Sequence, residues 1–142
     1  LHNDKINVRY AQIRDLTGCA ETDYGLPRRV IEQKITAQEI VIAEIQGQIV
    51  GYLRLDYLWS SIPYIALISV EEAHRRRGIG RAILAFVEAE ARRQGRKVLL
   101  SSSQVDEPEP QAWHRHMGFA ECGILAGIND GGIGEVFFRK VL

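Results

Sequence analysis

Only two of the 142 residues are cysteine, Cys19 and Cys122. That is too few for a disulfide framework, and nothing resembles the clustered pairs of a zinc site, so no metal is expected and a reducing cytoplasm is the expected setting. No apolar run approaches the ~18 residues of a membrane-spanning helix, and the first residues lack the order of a signal peptide. Net charge is missing too. The 18 basic and 18 acidic residues cancel, so no overall field favours nucleic acid or an acidic membrane, and any anion site must be local. Linkers, low-complexity tracts and repeats are also absent. Residues 1–142, 46% hydrophobic, are therefore expected to form one domain with its own core.

Periodicity predicts the elements. Ile6, Val8 and Tyr10 alternate in a first strand, 5–10. Ile13, Leu16 and Ala20 recur at helical spacing over 12–22, and Pro27 opens a second helix carrying Val30, Ile31 and Ile35. The β-branched runs 39–45 and 49–57, joined through Gln46, Gly47 and Gln48, read as a hairpin. The run 62–70 is apolar at almost every position and is expected to be a central strand covered on both faces. Ile79, Ile83, Phe86 and Val87 mark an amphipathic helix from Gly78 to Gln94, ended by Gly95. A strand at 97–103, a short helix at 110–117 and a hairpin of 119–128 with 133–141 complete the order βααβββαβαββ.

The segment from Arg75 to Gly80 lies between that central strand and the strongest helix. A helix start leaves backbone N–H groups without intrahelical acceptors and carries partial positive charge, so it holds phosphate where glycine lets the backbone come close. Arg75, Arg76, Arg77 and Arg81 add charge-assisted donors. The bland alternative is a basic helix start whose arginines are merely solvated. His74 to Arg81 has neither a P-loop lysine followed by Ser or Thr nor a third glycine, which disfavours a nucleoside-triphosphate or dinucleotide site. One basic cluster on a neutral protein also makes few phosphate contacts for nucleic acid.

The stretch from Val70 through Arg75, Gly78 and Gly80 to Leu84 resembles the signature of the GNAT acetyltransferase superfamily: a strand ending in Val, then Gln or Arg, two residues, Gly, one residue, and Gly or Ala opening a helix. Downstream, Trp113 to Phe119 is similar to that family's second signature, which ends in Gly-Phe, here Gly118 and Phe119. The resemblance implies an α+β fold with a mostly antiparallel mixed sheet, splayed after the fourth strand and flanked by helices in three layers. It also implies that acetyl-CoA, or another short acyl-CoA, lies along Ile68, Ser69 and Val70. The N–H groups of Arg76, Arg77, Gly78, Ile79, Gly80 and Arg81 would surround its diphosphate, beside Arg75, with Glu107, Trp113 and His114 on the donor's other flank. Two departures stand in the last region. Glu107 occupies the place of an asparagine, and Pro110 that of an alanine.

Direct acyl transfer needs a neutral amine beside the thioester, donors for the developing oxyanion and a proton for the departing thiolate. Where relatives place a tyrosine acid four residues before Gly-Phe, this chain has His114, whose ordinary pKa near ~6.5 allows it to donate. Packing beside the sulfur is the alternative, and His116 is expected to face solvent. The fourth strand offers Tyr64 and Ala66 but no base, leaving a water relay or Asp56. Glu71 and Glu72 read as solvated or paired with the arginines. The acceptor side is expected to draw on Tyr24, Arg54, Asp56, Tyr57, Trp59 and Tyr64, each of which could equally be an ordinary surface residue. Ser101, Ser102 and Ser103 lack the spacing of a serine hydrolase. Neither cysteine sits beside groups that would activate it.

The function expected is N-acetyl transfer to a primary amine of a small molecule or peptide. The alternative is an acyl-CoA-binding sensor with little turnover. A homodimer is compatible with the sequence.

Overall fold

Strand residues 40–43 are among the least accessible in the protein: Ile40, Val41, Ile42 and Ala43 are all buried in the computed structural model, which describes residues 5–142. The elements run β1 (Asn7–Tyr10), a 3-10 turn (Ile13–Asp15), α1 (Leu16–Thr22), α2 (Arg28–Thr36), β2 (Ile40–Ile45), β3 (Gln48–Leu58) and β4 (Ile62–Val70). After a second 3-10 turn (Glu72–His74) come α3 (Ile79–Arg93), β5 (Val98–Gln104), α4 (Pro108–His116), β6 (Ala120–Leu125), a third 3-10 turn (Asp130–Gly132) and β7 (Glu135–Val141). The strands lie in the order β1-β2-β3-β4-β5-β7-β6, antiparallel except where β4 runs parallel to β5, so the sheet is mixed. The chain divides into two compact units, Leu1–Leu55 with Leu67–Ala89, and Asp56–Ala66 with Glu90–Leu142.

In the first unit, alternation along β2 and β3 builds two opposed cores. Ile40, Ile42 and Tyr52 pack with Cys19 of α1 and Ile31 and Ile35 of α2. On the other face Gly51 makes room for α3: a Cβ there would lie 2.7 Å from Ile83 Cδ1 and 2.8 Å from Ile79 Cγ2, and 3.3 Å from Ala43 Cβ. Burying Ile79 and Ile83 this way contributes roughly 1.5–3 kcal/mol each and fixes where α3 begins. Arg9 ties β1 to β2 and to the first turn, donating to Asp15 at 2.8 and 3.0 Å and to Glu44 at 3.2 and 3.0 Å. Its guanidinium holds both carboxyls below their usual range.

In the second unit β5 pairs with β7 along its whole length, from Val98 opposite Val141 to Gln104 opposite Glu135. Tyr64 of β4 lies opposite Leu100. α4 covers the β5 face that carries Ser101, while Ser102 belongs to the other face.

Several boundaries differ from the expectation. The first helical segment starts as a 3-10 turn, because the Asp15 carboxylate accepts the Gln12 N–H at 2.7 Å. Ile45 pairs with Gln48, leaving only Gln46 and Gly47 in the β2–β3 turn; both have positive φ, 52° and 79°, as a type I′ hairpin turn demands. α4 starts at Pro108, since proline suits the first helical position. β6 ends at Leu125, and Gly127 at φ 68° turns the chain before 128. β4 is central in order but not covered throughout: only Pro63 and Ile65 are buried, and Leu67 to Val70 are half-buried.

Candidate active site

The loop between β4 and α3 is assembled from main chain. The Glu71 N–H donates to Val50 O at 2.9 Å, tying the end of β4 to β3. The His74 and Arg75 N–H groups then close a 3-10 turn on the carbonyls of Glu71 and Glu72. Arg75 Nε donates to Val70 O at 3.1 Å. Arg76 (φ 64°) and Gly78 (φ 80°) are left-handed, which reverses the chain into α3. The α-helical pattern begins with the Ala82 N–H on Gly78 O at 3.0 Å. Ile79 is buried as the anchor, whereas Arg75, Arg76, Arg77, Gly78 and Arg81 are exposed and Gly80 half-buried. Main-chain N–H groups at the start of a fifteen-residue helix, beside four arginines, are a donor set suited to a diphosphate. Ile68, Ser69 and Val70 lead into this loop as half-buried strand residues. Glu71 faces His74 at 4.0 Å, while Glu72 is exposed.

His114, in the second unit, is only 3% exposed. Its Nδ1 lies 2.7 Å from Pro110 O and its Nε2 2.7 Å from Ser101 Oγ. A carbonyl only accepts, so Nδ1 carries the proton, and in the neutral ring Nε2 accepts the serine hydroxyl. Burial holds the ring below the usual histidine pKa, opposed by the Pro110 bond and the Glu135 charge. The ring stacks on Phe138 at 4.5 Å and meets Trp113 and Phe119 edge-on at 5.2 and 5.6 Å. Trp113 is half-buried; Glu107 is exposed at the start of α4, and His116 is exposed.

The residues expected on the acceptor side have diverse settings. Arg54 is committed to the first unit's interior: its Nε donates to Asp23 Oδ2 at 2.7 Å, and Tyr52 OH donates to the same oxygen at 2.8 Å. Asp23 is 5% exposed, and this carboxylate raises the pKa of the Tyr52 phenol, after burial itself. Tyr24 is 90% exposed. In the second unit Tyr57 lies beneath the Arg96 guanidinium at 5.0 Å, and Asp56 is half-buried. Trp59 is 80% exposed and, with Ser60, forms a positive-φ turn. Tyr64 OH is 2.6 Å from Ser102 Oγ, and its ring stacks on Phe137.

Sequence reasoning missed Asp23, Tyr52, Ser101, Ser102, Asn129 and Glu135 as members of these clusters. The alternation of the three serines and the single acid of β7 were the available signals, but they needed the β5–β7 register to be read.

Residues 10–119 match the model of the acetyltransferase (GNAT) family. The chain is 29% identical over 131 residues to an aminoglycoside N(6')-acetyltransferase type 1 from Stenotrophomonas maltophilia, covering 80% of this chain and 86% of that protein. It is 31% identical over 101 residues to a streptothricin acetyltransferase from Streptomyces lavendulae, covering 70% of this chain but 53%, about half, of that protein's length. A GNAT-family acetyltransferase structure from Bacillus cereus superposes with a TM-score of 0.82 at 25% identity, covering 96% of this chain and 97% of that one. With a glycine-arginine loop at a helix start, the fold around it and a family match through both signatures, the chain belongs to the GNAT family of acetyl-CoA-dependent N-acetyltransferases.

Proposed function

We propose that this chain, acting as one catalytic domain, moves the acetyl group of acetyl-CoA directly to a primary amine of a small polar molecule. The observation that carries the reading is the loop at the start of α3, where Arg76 and Gly78 turn the main chain toward an anion-binding helix terminus beside four arginines. Similarity to the aminoglycoside and streptothricin enzymes favours a small amine-bearing antibiotic over a peptide amine as acceptor. Ile68, Ser69 and Val70 at the end of β4 offer main-chain groups to the donor's amides. Asp56, Tyr57, Trp59 and Tyr64 belong to the acceptor side, whereas the Arg54 side chain is bound to Asp23. A cytoplasmic setting fits two free cysteines, one buried and one exposed. Among the described residues no helix is long and apolar enough to cross a membrane.

The role of His114 follows from its hydrogen bonds. To protonate a leaving sulfur, the ring must either give up its proton on Nδ1, which is held by Pro110, or carry a second one that burial disfavours. We assign it first to fixing α4 on β5. The same satisfied ring favours the second reading, a domain that binds acyl-CoA with little turnover.

The deciding assay incubates the protein with acetyl-CoA and an amine panel of streptothricin, an aminoglycoside and a peptide with a free N-terminus, and follows free thiol with the acetylated product by mass. Thiol release that depends on one amine supports the transferase. Tight acetyl-CoA binding with no release on any of them supports the sensor.

A further inference from the structure

Four polar side chains form one hydrogen-bonded line that crosses β4, β5 and β7 and ends at Asn129, just before the third 3-10 turn, on the face of β5 opposite His114. Ser102 Oγ donates to Glu135 Oε2 at 2.6 Å, and Asn129 Nδ2 donates to Glu135 Oε1 at 2.9 Å. Tyr64 OH lies 2.6 Å from Ser102 Oγ. Serine has one hydroxyl proton, and the carboxylate takes it; the Tyr64–Ser102 bond must therefore use the tyrosine's proton. The line has a direction, Tyr64 to Ser102 to Glu135, with both links at the length of charge-assisted O–H bonds. All four residues are at least partly buried, and the Tyr64 ring is held by Phe137 at 5.6 Å.

A staple across three strands would need only the hydrogen bonds. A carboxylate at one end, with each hydroxyl proton already pointing toward it, is also poised to take up a proton delivered at the other end. We infer that Tyr64, Ser102 and Glu135 form a proton relay that removes the acceptor amine's proton, with Glu135 as terminal acceptor and Asn129 as its positioning residue. The inference rests on the acyltransferase reading and supplies the base that β4 itself lacks.

As the amine nitrogen bonds to the thioester carbonyl carbon, it becomes a cationic N–H acid. Its proton passes to Tyr64 Oη, the phenol's own proton to Ser102 Oγ and the serine's to Glu135 Oε2. One N–H bond breaks and one O–H bond forms on Glu135, while tyrosine and serine end as they began. The C–S bond breaks with its electron pair on sulfur, which takes a proton from water. Glu135 returns its proton to solvent, so no net proton is gained or lost.

Glu135→Gln is the sharpest test, because its amide keeps a hydrogen bond to Ser102 and, with the Asn129 amide turned over, another to residue 129, but cannot accept the relayed proton. On the amine that the wild type acetylates best, kcat should fall about 10²-fold or more while both KM values stay within about twofold. Tyr64→Phe, which keeps the ring stack, and Ser102→Ala should match it, with Ser102→Thr recovering activity. The wild-type solvent deuterium effect on kcat should show several protons in flight, and Glu135→Gln should lose that signature. Folded variants of Glu135 and Tyr64 with wild-type kcat and isotope effect overturn the relay while leaving the transferase intact. Losses confined to KM or to melting temperature also overturn it, by making the line a staple. A wild type that releases no thiol on any amine of the panel sinks the transferase reading and the relay together.

Discussion

The loop at the start of α3 and the side-chain clusters around β5 solve different problems with different parts of the chain. The loop offers main-chain N–H groups, set by two left-handed residues and one helix terminus, and its arginine side chains are exposed. Around β5 the hydrogen-bonded groups are side chains: His114 with Ser101 on one face, Tyr64, Ser102 and Glu135 on the other. A main-chain site tolerates many neighbours but not a wrong φ. A side-chain site depends on strand register, since a one-residue slip along β5 would exchange its two faces.

For donor binding, the greatest loss comes from breaking the loop. Gly78 has φ 80°, and a Cβ added there would meet nothing within 4 Å, so Gly78→Val adds backbone strain without a clash, about 1–2 kcal/mol for a β-branched residue. Gly80→Glu places a negative charge at the helix start. Each should weaken CoA binding by about tenfold or more in calorimetry, with Gly80→Glu the stronger. Wild-type affinity in both folded variants would put the donor elsewhere.

Next is His114→Ala, which leaves the Ser101 hydroxyl and the Pro110 carbonyl without their buried partner. A cost of about 2–5 kcal/mol in denaturant unfolding is expected, with CoA affinity in the surviving folded fraction within about twofold. His114→Gln separates structure from chemistry, and its kcat should stay within about threefold of wild type. A loss of about 10²-fold there would restore the ring as proton donor. Stability should also respond to pH. Burial holds His114 below its ordinary 6.5, so the unfolded chain takes up the proton first. The stability present above about pH 6.5 is therefore lost as pH falls below it, and His114→Gln should remove that slope. Asp15 and Glu44, held low by Arg9, keep their contributions until well below this window.

The contrast also explains what the sequence disclosed. The order of elements was readable because β2, β4 and α3 carry unbroken hydrophobic periods, and the loop because Arg75, Gly78 and Gly80 occupy fixed offsets from the end of β4. Arg54 was not readable: its partner Asp23 lies thirty-one residues away, and only the docking of α1 on β3 brings them together. Glu135 was hidden in the same way, since its link to Ser102 depends on the β5–β7 register.

The smallest effect concerns sulfur. Burial pushes the Cys19 thiol up to about 12, and Cys122 is exposed on β6, away from any activating group in sequence. The double substitution Cys19→Ser with Cys122→Ser should leave kcat unchanged within about twofold, whatever it costs in stability. An acetylated cysteine trapped by mass spectrometry would contradict direct transfer.

Amide NMR during a CoA titration reports directly on whether main-chain groups hold the donor. Main-chain binding predicts that the largest shift changes fall on the N–H groups of Arg76 to Arg81, persist when Arg76 and Arg77 are changed to alanine, and shrink in Gly80→Glu. Saturable CoA binding that leaves these six amides unmoved would rule out main-chain binding at the start of α3.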